Sequence, residues 1–278
     1  MTGTCGENLN WTLDGGTLTI SGEGQMDDCQ DFSEINGESI ERIIVEEGAT
    51  SISSFAFSFC ADLTSVTLPD SLKEICIGAF SFCESLREIK IPANVTAIGK
   101  STFCGCWNLT EIILPEKLFE LGDNAFSNCA SLQTIKIPAG VHELGGGVFK
   151  GCESLTSVTL PGRLAKIGAS AFEGCESLTE IKIPASVVEV GDGVFNLCSN
   201  LEKIFCSTNS DFEKIFSCGN HAQSIPTIDE PKISAPTWHL DGDTLTIIST
   251  DKLKSLSHDE SSPWYDRRES IKKIIIES

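Results

Sequence analysis

Apolar residues recur along residues 40–206 with a period of 23 residues. Phenylalanine marks the period, and a cysteine follows it three positions later in every copy. A fixed period in the twenties is typical of one supersecondary unit stacked on copies of itself, so the pattern predicts a solenoid. We expect these side chains to form one buried ladder: Phe57, Cys60, Phe80, Cys83, Phe103, Cys106, Phe126, Cys129, Phe149, Cys152, Phe172, Cys175, Phe195 and Cys198.

The remaining columns of the repeat predict its secondary structure. The repeat unit reads L-x-x-I-x-L-P-x-x-L-x-x-I-G-x-x-A-F-x-x-C-x-x, with related residues replacing some letters in individual copies. Alternating apolar residues such as Val66 and Leu68 predict one short strand per repeat, and the proline that follows ends the hydrogen-bond ladder because it has no N–H. The return path, for example residues 98–106, predicts a short helical or irregular turn.

This repeat closely resembles the leucine-rich repeats of the BspA-like bacterial surface proteins, for example in LTSVTLPDSLKEICIGAFSFCES. The resemblance covers residues 40 to about 206. It implies a leucine-rich-repeat solenoid, α/β or mainly β, with a curved parallel sheet on its concave face. It also implies a non-catalytic cell-surface protein that adheres to host or neighbouring-cell components.

A second duplication frames the repeats. WTLDGGTLTI (residues 11–20) returns almost unchanged as WHLDGDTLTI (residues 238–247), and both predict a β-hairpin around an Asp-Gly turn. The segment 39–46, which opens the repeats, likewise returns as 270–277. An exposed Ile274-Ile275-Ile276 edge favours aggregation, so we expect this strand to pair within its own module or against the end of the repeats.

These patterns divide the chain into five segments. Beyond residue 206 the repeat decays: Ser207 replaces proline, and residues 208–220 read as a short helix that caps the last hydrophobic layer. Three prolines make the next segment a semi-rigid linker. The predicted segments are an N-terminal hairpin module (1–39), the solenoid (40–206), a cap (207–220), a linker (221–236) and a second hairpin module that opens a truncated repeat (237–278).

Charge excludes two classes of partner. The chain has 40 acidic and 20 basic residues and a formal net charge of −20, so nucleic acid and anionic membranes are repelled. No apolar run reaches the roughly 20 residues of a membrane span. Neither a secretory signal nor a sortase-type LPxTG anchor is present, and we expect an extracellular or cell-surface fragment whose signal and anchor lie outside it.

The cysteines favour buried thiols over disulfides or a metal site. Equivalent residues in adjacent coils lie about 4.8 Å apart with parallel Cβ vectors, whereas a disulfide needs Cβ atoms about 3.8 Å apart that point toward each other. Zinc needs four converging ligands, and a linear ladder diverges. We expect the S–H groups to form weak hydrogen bonds along the turn. Cys5 and Cys29 share the N-terminal module, and the sequence leaves open whether they form a disulfide.

No arrangement of residues suggests catalysis. His142, His221, His239 and His258 lie in unrelated contexts, without the nucleophile and carboxylate of a catalytic triad. The glycines at 145–147 lack the lysine of a phosphate-binding loop. We therefore expect neither enzymatic activity nor a cofactor.

Candidate binding residues are those that flank the inward side chain of each strand. They form a charged and hydroxylic face, on which Glu88 should lie beside Glu111 and Ile113 between Lys90 and Lys136. Such a face can be merely solvated, or it can dock a protein or, less favourably, a glycan; a passive spacer is the alternative function. The candidates are Arg42, Glu88, Lys90, Glu111, Lys136, Glu180, Lys182, Lys203 and Phe205.

Overall fold

The computed structural model describes residues 1–27, 32, 35 and 39–206, and the backbone of four later strands at 227–228, 237–241, 244–248 and 273–277. The chain divides into two units, Met1–Asp229 and Glu230–Ser278. Within the described residues, no helix has the length and apolar character needed to cross a bilayer.

The first unit begins with the predicted hairpin. Strands β1 (Thr2–Thr4), β2 (Leu9–Asp14) and β3 (Thr17–Gly22) are antiparallel neighbours, and β4 (Gly24–Gln25) follows. Asp14 pairs with Thr17, so the turn consists of Gly15 and Gly16 rather than the expected Asp-Gly pair. Their φ values of 52° and 73° explain why glycine occupies both turn positions.

Each 23-residue repeat then contributes two short strands, so the expectation of one strand per repeat is wrong. The first strands are β5 (Arg42–Val45), β7 (Ser65–Thr67), β9 (Glu88–Lys90), β11 (Glu111–Ile113), β13 (Thr134–Lys136), β15 (Ser157–Thr159), β17 (Glu180–Lys182) and β19 (Lys203–Phe205). The second strands are β6 (Ala49–Ile52), β8 (Glu74–Ile75), β10 (Ala97–Ile98), β12 (Glu120–Leu121), β14 (Glu143–Leu144), β16 (Lys166–Ile167) and β18 (Glu189–Val190).

The strands of successive repeats pair in parallel, with equivalent residues opposite each other. Ile89 lies opposite Ile112, and Ile98 lies between Ile75 and Leu121. The first strands pair as β5 with β7, β9 with β11, β13 with β15, and β17 with β19. The result is a parallel β-solenoid, and the predicted solenoid fold is confirmed.

The return path of each repeat is a turn with a regular hydrogen-bond pattern. Three alternate N–H groups donate to carbonyl oxygens of the following repeat, while the groups between them donate to carbonyls within their own turn. In one repeat the bonds run at 2.8 Å from the N–H groups of Ser101, Phe103 and Gly105 to the carbonyls of Asp123, Ala125 and Ser127. All bonds of this series therefore point toward the C-terminal neighbour.

Two positions in every turn have a left-handed backbone. The first left-handed position holds Phe55, Gly78, Ser101, Asn124, Gly147, Ser170 and Gly193. The second holds Phe59, Phe82, Gly105, Asn128, Gly151, Gly174 and Leu197. Glycine occupies both positions in one of the seven repeats, one position in four and neither in two. Asn tolerates this region of backbone conformation, whereas bulky side chains are strained there.

The core is one continuous cluster built from the predicted columns. Phe57 through Phe172 are fully buried in their column, whereas Phe195 and Cys198 in the last repeat are only partly buried. The rings stack on one another with centroids 5.3 to 5.8 Å apart. Phe32 extends the stack at 5.6 Å from Phe57, and Trp11 meets Phe32 edge to face.

The second unit repeats the arrangement of the N-terminal strands. Strands β21 (Thr237–Asp241) and β22 (Thr244–Ile248) form an antiparallel hairpin, and β23 (Lys273–Glu277) pairs in parallel with β22. In the first unit β5 pairs with β3 in the same way. The last strand therefore pairs within its own module, which was one of the two expected arrangements.

The segment between the two modules is described only at one strand. Strand β20 (Thr227–Ile228) lies within the predicted linker and pairs in parallel with β19, so the ladder of first strands continues to it. The predicted helical cap at 207–220 and the rest of the predicted linker lie outside the described residues. The five segment boundaries stay predictions.

Candidate functional site

The candidate binding residues lie on the outward face of the first strands, which we call the outer strip. Alternation along a strand directs one side chain inward and its two neighbours outward. On β11, for example, Ile112 is buried while Glu111 and Ile113 are exposed, and the side chain of Ile113 is 63% exposed. The strip therefore consists of the residues before and after each inward residue of β5 to β19.

Seven of the nine predicted residues are exposed on this strip, and the other two are half-buried. Lys203 and Phe205, both on β19, are half-buried. The exposed members are Arg42 on β5, Glu88 and Lys90 on β9, Glu111 on β11, Lys136 on β13, and Glu180 and Lys182 on β17.

Strand register brings several of these residues together. Glu88 lies opposite Glu111, as expected, and Lys90 lies opposite Ile113. Glu180 lies opposite Lys203, and Lys182 lies opposite Phe205. Arg42 is opposite Ser65 and joins none of the other candidates directly.

A shallow depression of about 270 Å³ interrupts the outer strip between β11 and β13. These two strands belong to separate hydrogen-bonded pairs. Glu111, Ile113, Thr134 and Lys136 line the depression. It combines an exposed apolar side chain with carboxylate, hydroxyl and ammonium groups, a mixture suited to a polar partner that inserts one apolar side chain.

Glu116 also lines the depression, although no sequence pattern singled it out. The Lys136 Nζ lies 2.8 Å from the Glu116 Oε1, and both side chains are exposed. Glu116 follows Pro115, and its position in the repeat holds Glu47 in the first copy and Asp, Ala or Gly in the other copies. The period gave no signal for it because only the fold brings it beside the next repeat.

The outer strip differs from the rest of the protein in charge. Its charged members are five basic residues, Arg42, Lys90, Lys136, Lys182 and Lys203, and three acidic residues, Glu88, Glu111 and Glu180. Five minus three gives +2, whereas the whole chain has a formal net charge of −20. The acidic excess therefore lies elsewhere on the chain, and the charged residues of the strip are of mixed sign with a small positive formal net charge.

The cysteine ladder is a set of buried thiols that donate hydrogen bonds to backbone carbonyl oxygens. The Cys106 Sγ donates to the Phe80 carbonyl at 3.2 Å, and the same bond joins each later ladder cysteine to the phenylalanine of the preceding repeat. Burial raises the pKa of the Cys106 and Cys152 thiols to about 12. A thiol so reluctant to ionise is a poor nucleophile and a poor metal ligand.

Among the described cysteines no disulfide is formed, and the predicted S–H hydrogen bonds are confirmed. Cys29 lies outside the described residues, so the pairing of Cys5 with Cys29 stays open. Within the described part of the chain, no group of three or more histidine, cysteine or carboxylate side chains converges as a metal site would require.

Comparison with known proteins agrees with this architecture. The model of the BspA type leucine-rich repeat region matches residues 31–155 and 120–225, with six copies. A leucine-rich repeat protein of T. pallidum, TpLRR, is similar in structure, with 29% identity, a TM-score of 0.50, and coverage of 63% of this chain and 90% of that one. No curated protein matches the chain.

Two further solved structures are similar at lower TM-scores. A leucine-rich repeat protein of Eubacterium ventriosum has 21% identity and a TM-score of 0.46, with 75% of this chain and 73% of that one covered. A leucine-rich repeat protein of Bacteroides ovatus has 28% identity and a TM-score of 0.43, with 62% of each chain covered. With the family match over most of the chain and the parallel solenoid in place, the chain belongs to the BspA-type leucine-rich repeat family.

Proposed function

We propose that this chain is a non-catalytic adhesion module of a bacterial cell-surface protein and that it binds host or neighbouring-cell proteins through the outer strip. Leucine-rich-repeat solenoids generally mediate protein interactions, and their extended rigid surfaces offer many weak contacts in a row. The charge of the strip, +2 on a chain of −20, is the observation that supports this use most directly.

The contacts available on the strip define the kind of partner. Exposed Lys and Glu side chains in alternation favour a polar protein surface of mixed charge over an apolar one. Ile113, at the depression between β11 and β13, is the exposed apolar anchor on the strip. Because the strip lacks tryptophan and tyrosine, the proposed binding is spread over several repeats rather than concentrated in one hot spot.

A screen of immobilised matrix proteins, surface proteins and glycans tests the proposal. The test variant replaces Glu88, Lys90 and Lys136 by alanine. The matched control replaces Glu74, Lys73 and Lys117, which are exposed residues off the strip with the same charges. We expect saturable, salt-sensitive binding of a protein that the control retains and the test variant loses.

The same screen distinguishes the alternatives. If the intact protein binds only glycans, the result would support a glycan-binding module instead of a protein-binding one. If the intact protein binds no member of the panel, the result would favour a passive spacer. If both variants bind the same protein equally well, the result would contradict a role for the outer strip.

A further inference from the structure

The charged residues of the outer strip are sorted by sign into two rows. The acidic row contains the residue before the inward residue of each strand, and from β7 to β17 its charged members are all glutamates. The basic row contains the residue after the inward residue, and in the same strands its charged members are all lysines. Because alternate residues of a strand lie about 7 Å apart, the two rows run side by side across the strands. These charged members are Glu88, Glu111 and Glu180 in the acidic row and Lys90, Lys136 and Lys182 in the basic row.

Most of these charges are not neutralised within the described part of the chain. Among the described residues, Lys136 is the one member of the outer strip that forms an ion pair, and its partner is Glu116. Glu88 and Glu111 lie directly opposite each other on β9 and β11, where like charges destabilise a sheet. The sorting of charge into rows therefore does not stabilise the solenoid, and it leaves exposed charged groups free to contact a partner.

The two rows make the outer strip complementary to a second copy of itself. A two-fold axis parallel to the direction in which the repeats stack brings two strips face to face with equivalent strands together. It sets the acidic row of each copy against the basic row of the other. Glu88 then lies across from Lys90 of the second copy, and Glu180 lies across from Lys182 of the second copy. Each pair occurs twice, so two strands, β9 and β17, contribute about four Glu–Lys contacts.

No strand of β5 to β19 sets like charges against each other in this arrangement. Outside β9 and β17, each of these first strands has at most one charged residue among the two that flank its inward residue. On β19, Lys203 meets Phe205 of the second copy, which permits a cation–π contact. A two-fold axis along the strands would instead set acidic row against acidic row and basic row against basic row, which repulsion disfavours. The distribution of charge therefore selects the first arrangement.

We propose that the outer strip binds the outer strip of a second copy of this chain, with the two solenoids side by side and pointing in the same direction. The proposal rests on the proposed function of the outer strip and names the neighbouring-cell protein as a second copy. Physiological salt screens repulsion between the two net charges of −20 beyond about 8 Å, whereas the facing pairs lie within that distance. Exposed ion pairs are individually weak, so adhesion requires many copies on each surface.

Beads densely coated with the full chain test the proposal by their clustering. The test variant exchanges the charges on two strands through Glu88→Lys, Lys90→Glu, Glu180→Lys and Lys182→Glu, which leaves the net charge unchanged. In two copies of this variant, positions 88 and 90 again face each other with opposite charges. A variant copy facing an intact copy instead sets like charges together at both strands. The variant should therefore bind itself but not the intact protein.

The matched control exchanges four charges away from the outer strip. It carries Lys73→Glu, Glu74→Lys, Lys117→Glu and Glu120→Lys, at four exposed positions, and it also keeps the net charge. Because these residues lie outside the proposed contact, beads coated with the control should mix freely with beads coated with the intact protein.

We expect beads of the intact protein to cluster, and beads of the test variant to cluster with one another. In a mixture the two kinds should sort into separate clusters, with mixed contacts about tenfold rarer than between intact and control beads. Dispersed beads of the intact protein would overturn the proposal, as would free mixing of intact and variant beads. If intact beads stay dispersed while the screen described above finds a protein that binds through the outer strip, the self-association fails and the proposed function stands.

Discussion

The Cys129 thiol donates a hydrogen bond to the Phe103 carbonyl oxygen in the preceding repeat, with the two atoms 3.2 Å apart. Both side chains are fully buried, and the bond recurs at every repeat boundary from Cys83 to Cys198. The two most regular residues of the sequence are thus joined across repeats, and the cysteine contributes both packing and a hydrogen bond.

Replacement of Cys129 by alanine should destabilise the solenoid. The change removes the bond to Phe103 and leaves a small cavity, which together cost about 1–3 kcal/mol. Urea unfolding, followed by circular dichroism, measures this loss. Cys104→Ala is the matched control, because Cys104 is only half-buried and lies outside the ladder, and its effect should be smaller. If both variants lose the same free energy of unfolding, the ladder cysteines contribute no more to stability than Cys104 does.

Stability should fall steeply above pH 9. The ordinary thiol pKa is 9.0, and burial raises the pKa of Cys106 and Cys152 to about 12 in the folded state. The unfolded chain therefore releases these protons first, so stability is fully present below pH 9 and is lost as pH rises toward 12, by about 1.4 kcal/mol per pH unit for each thiol. Urea unfolding at pH 8, 9 and 10 measures how the free energy of unfolding changes with pH. In Cys152→Ala this change should be smaller by the contribution of one thiol.

The phenylalanine stack predicts a large difference between the middle and the end of the solenoid. Phe126 is fully buried between Phe103 and Phe149, at 5.5 and 5.8 Å, and its replacement by alanine should cost about 3–5 kcal/mol. Phe195 is only partly buried and contacts Phe172 within the described stack, so Phe195→Ala should cost less. Thermal unfolding of both variants compares them, and similar losses would contradict the unequal burial.

A left-handed backbone predicts a stabilising substitution. Ser101 has a φ of 54°, and the equivalent residues Gly78 and Gly147 show that glycine fits this turn. Ser101→Gly should therefore raise the free energy of unfolding by about 0.5–1 kcal/mol. Ser154→Gly, at a residue without positive φ, should lower it instead. Calorimetry of the two variants measures the difference, and destabilisation by both would mean that strain at residue 101 is negligible.

The sequence was most informative where one residue type fills a whole column. The inward Leu, Ile, Phe and Cys columns and the pairing of Glu88 with Glu111 follow from the period and from alternation, and the register bears them out. The second strand of each repeat was missed because two residues, such as Glu74 and Ile75, are too short to show alternation. Phe32 was missed because it precedes Phe57 by more than one period.

Features that depend on backbone conformation or on a neighbouring repeat were not visible in the sequence. The left-handed positions hold Phe, Ser, Asn and Leu as well as Gly, so no glycine column revealed them. The exposure of Phe55 and Phe59 was not visible either, because residues at alternate positions share one face of a strand. In this turn Phe57 is buried, whereas Phe55 and Phe59, which have a left-handed backbone, are exposed. Glu116 reaches Lys136 only through the stacking of repeats.

The turn bonds that all point toward the C-terminal neighbour make the two ends of the solenoid chemically different. Whatever covers the first turn must supply N–H groups, as Phe32 does for the Ala56 carbonyl, whereas a cover for the last turn must supply oxygens. Two such solenoids can therefore be joined through their turns only head to tail. A reversed copy would set donor against donor or acceptor against acceptor, so polarity by itself dictates how longer arrays of these repeats can be assembled.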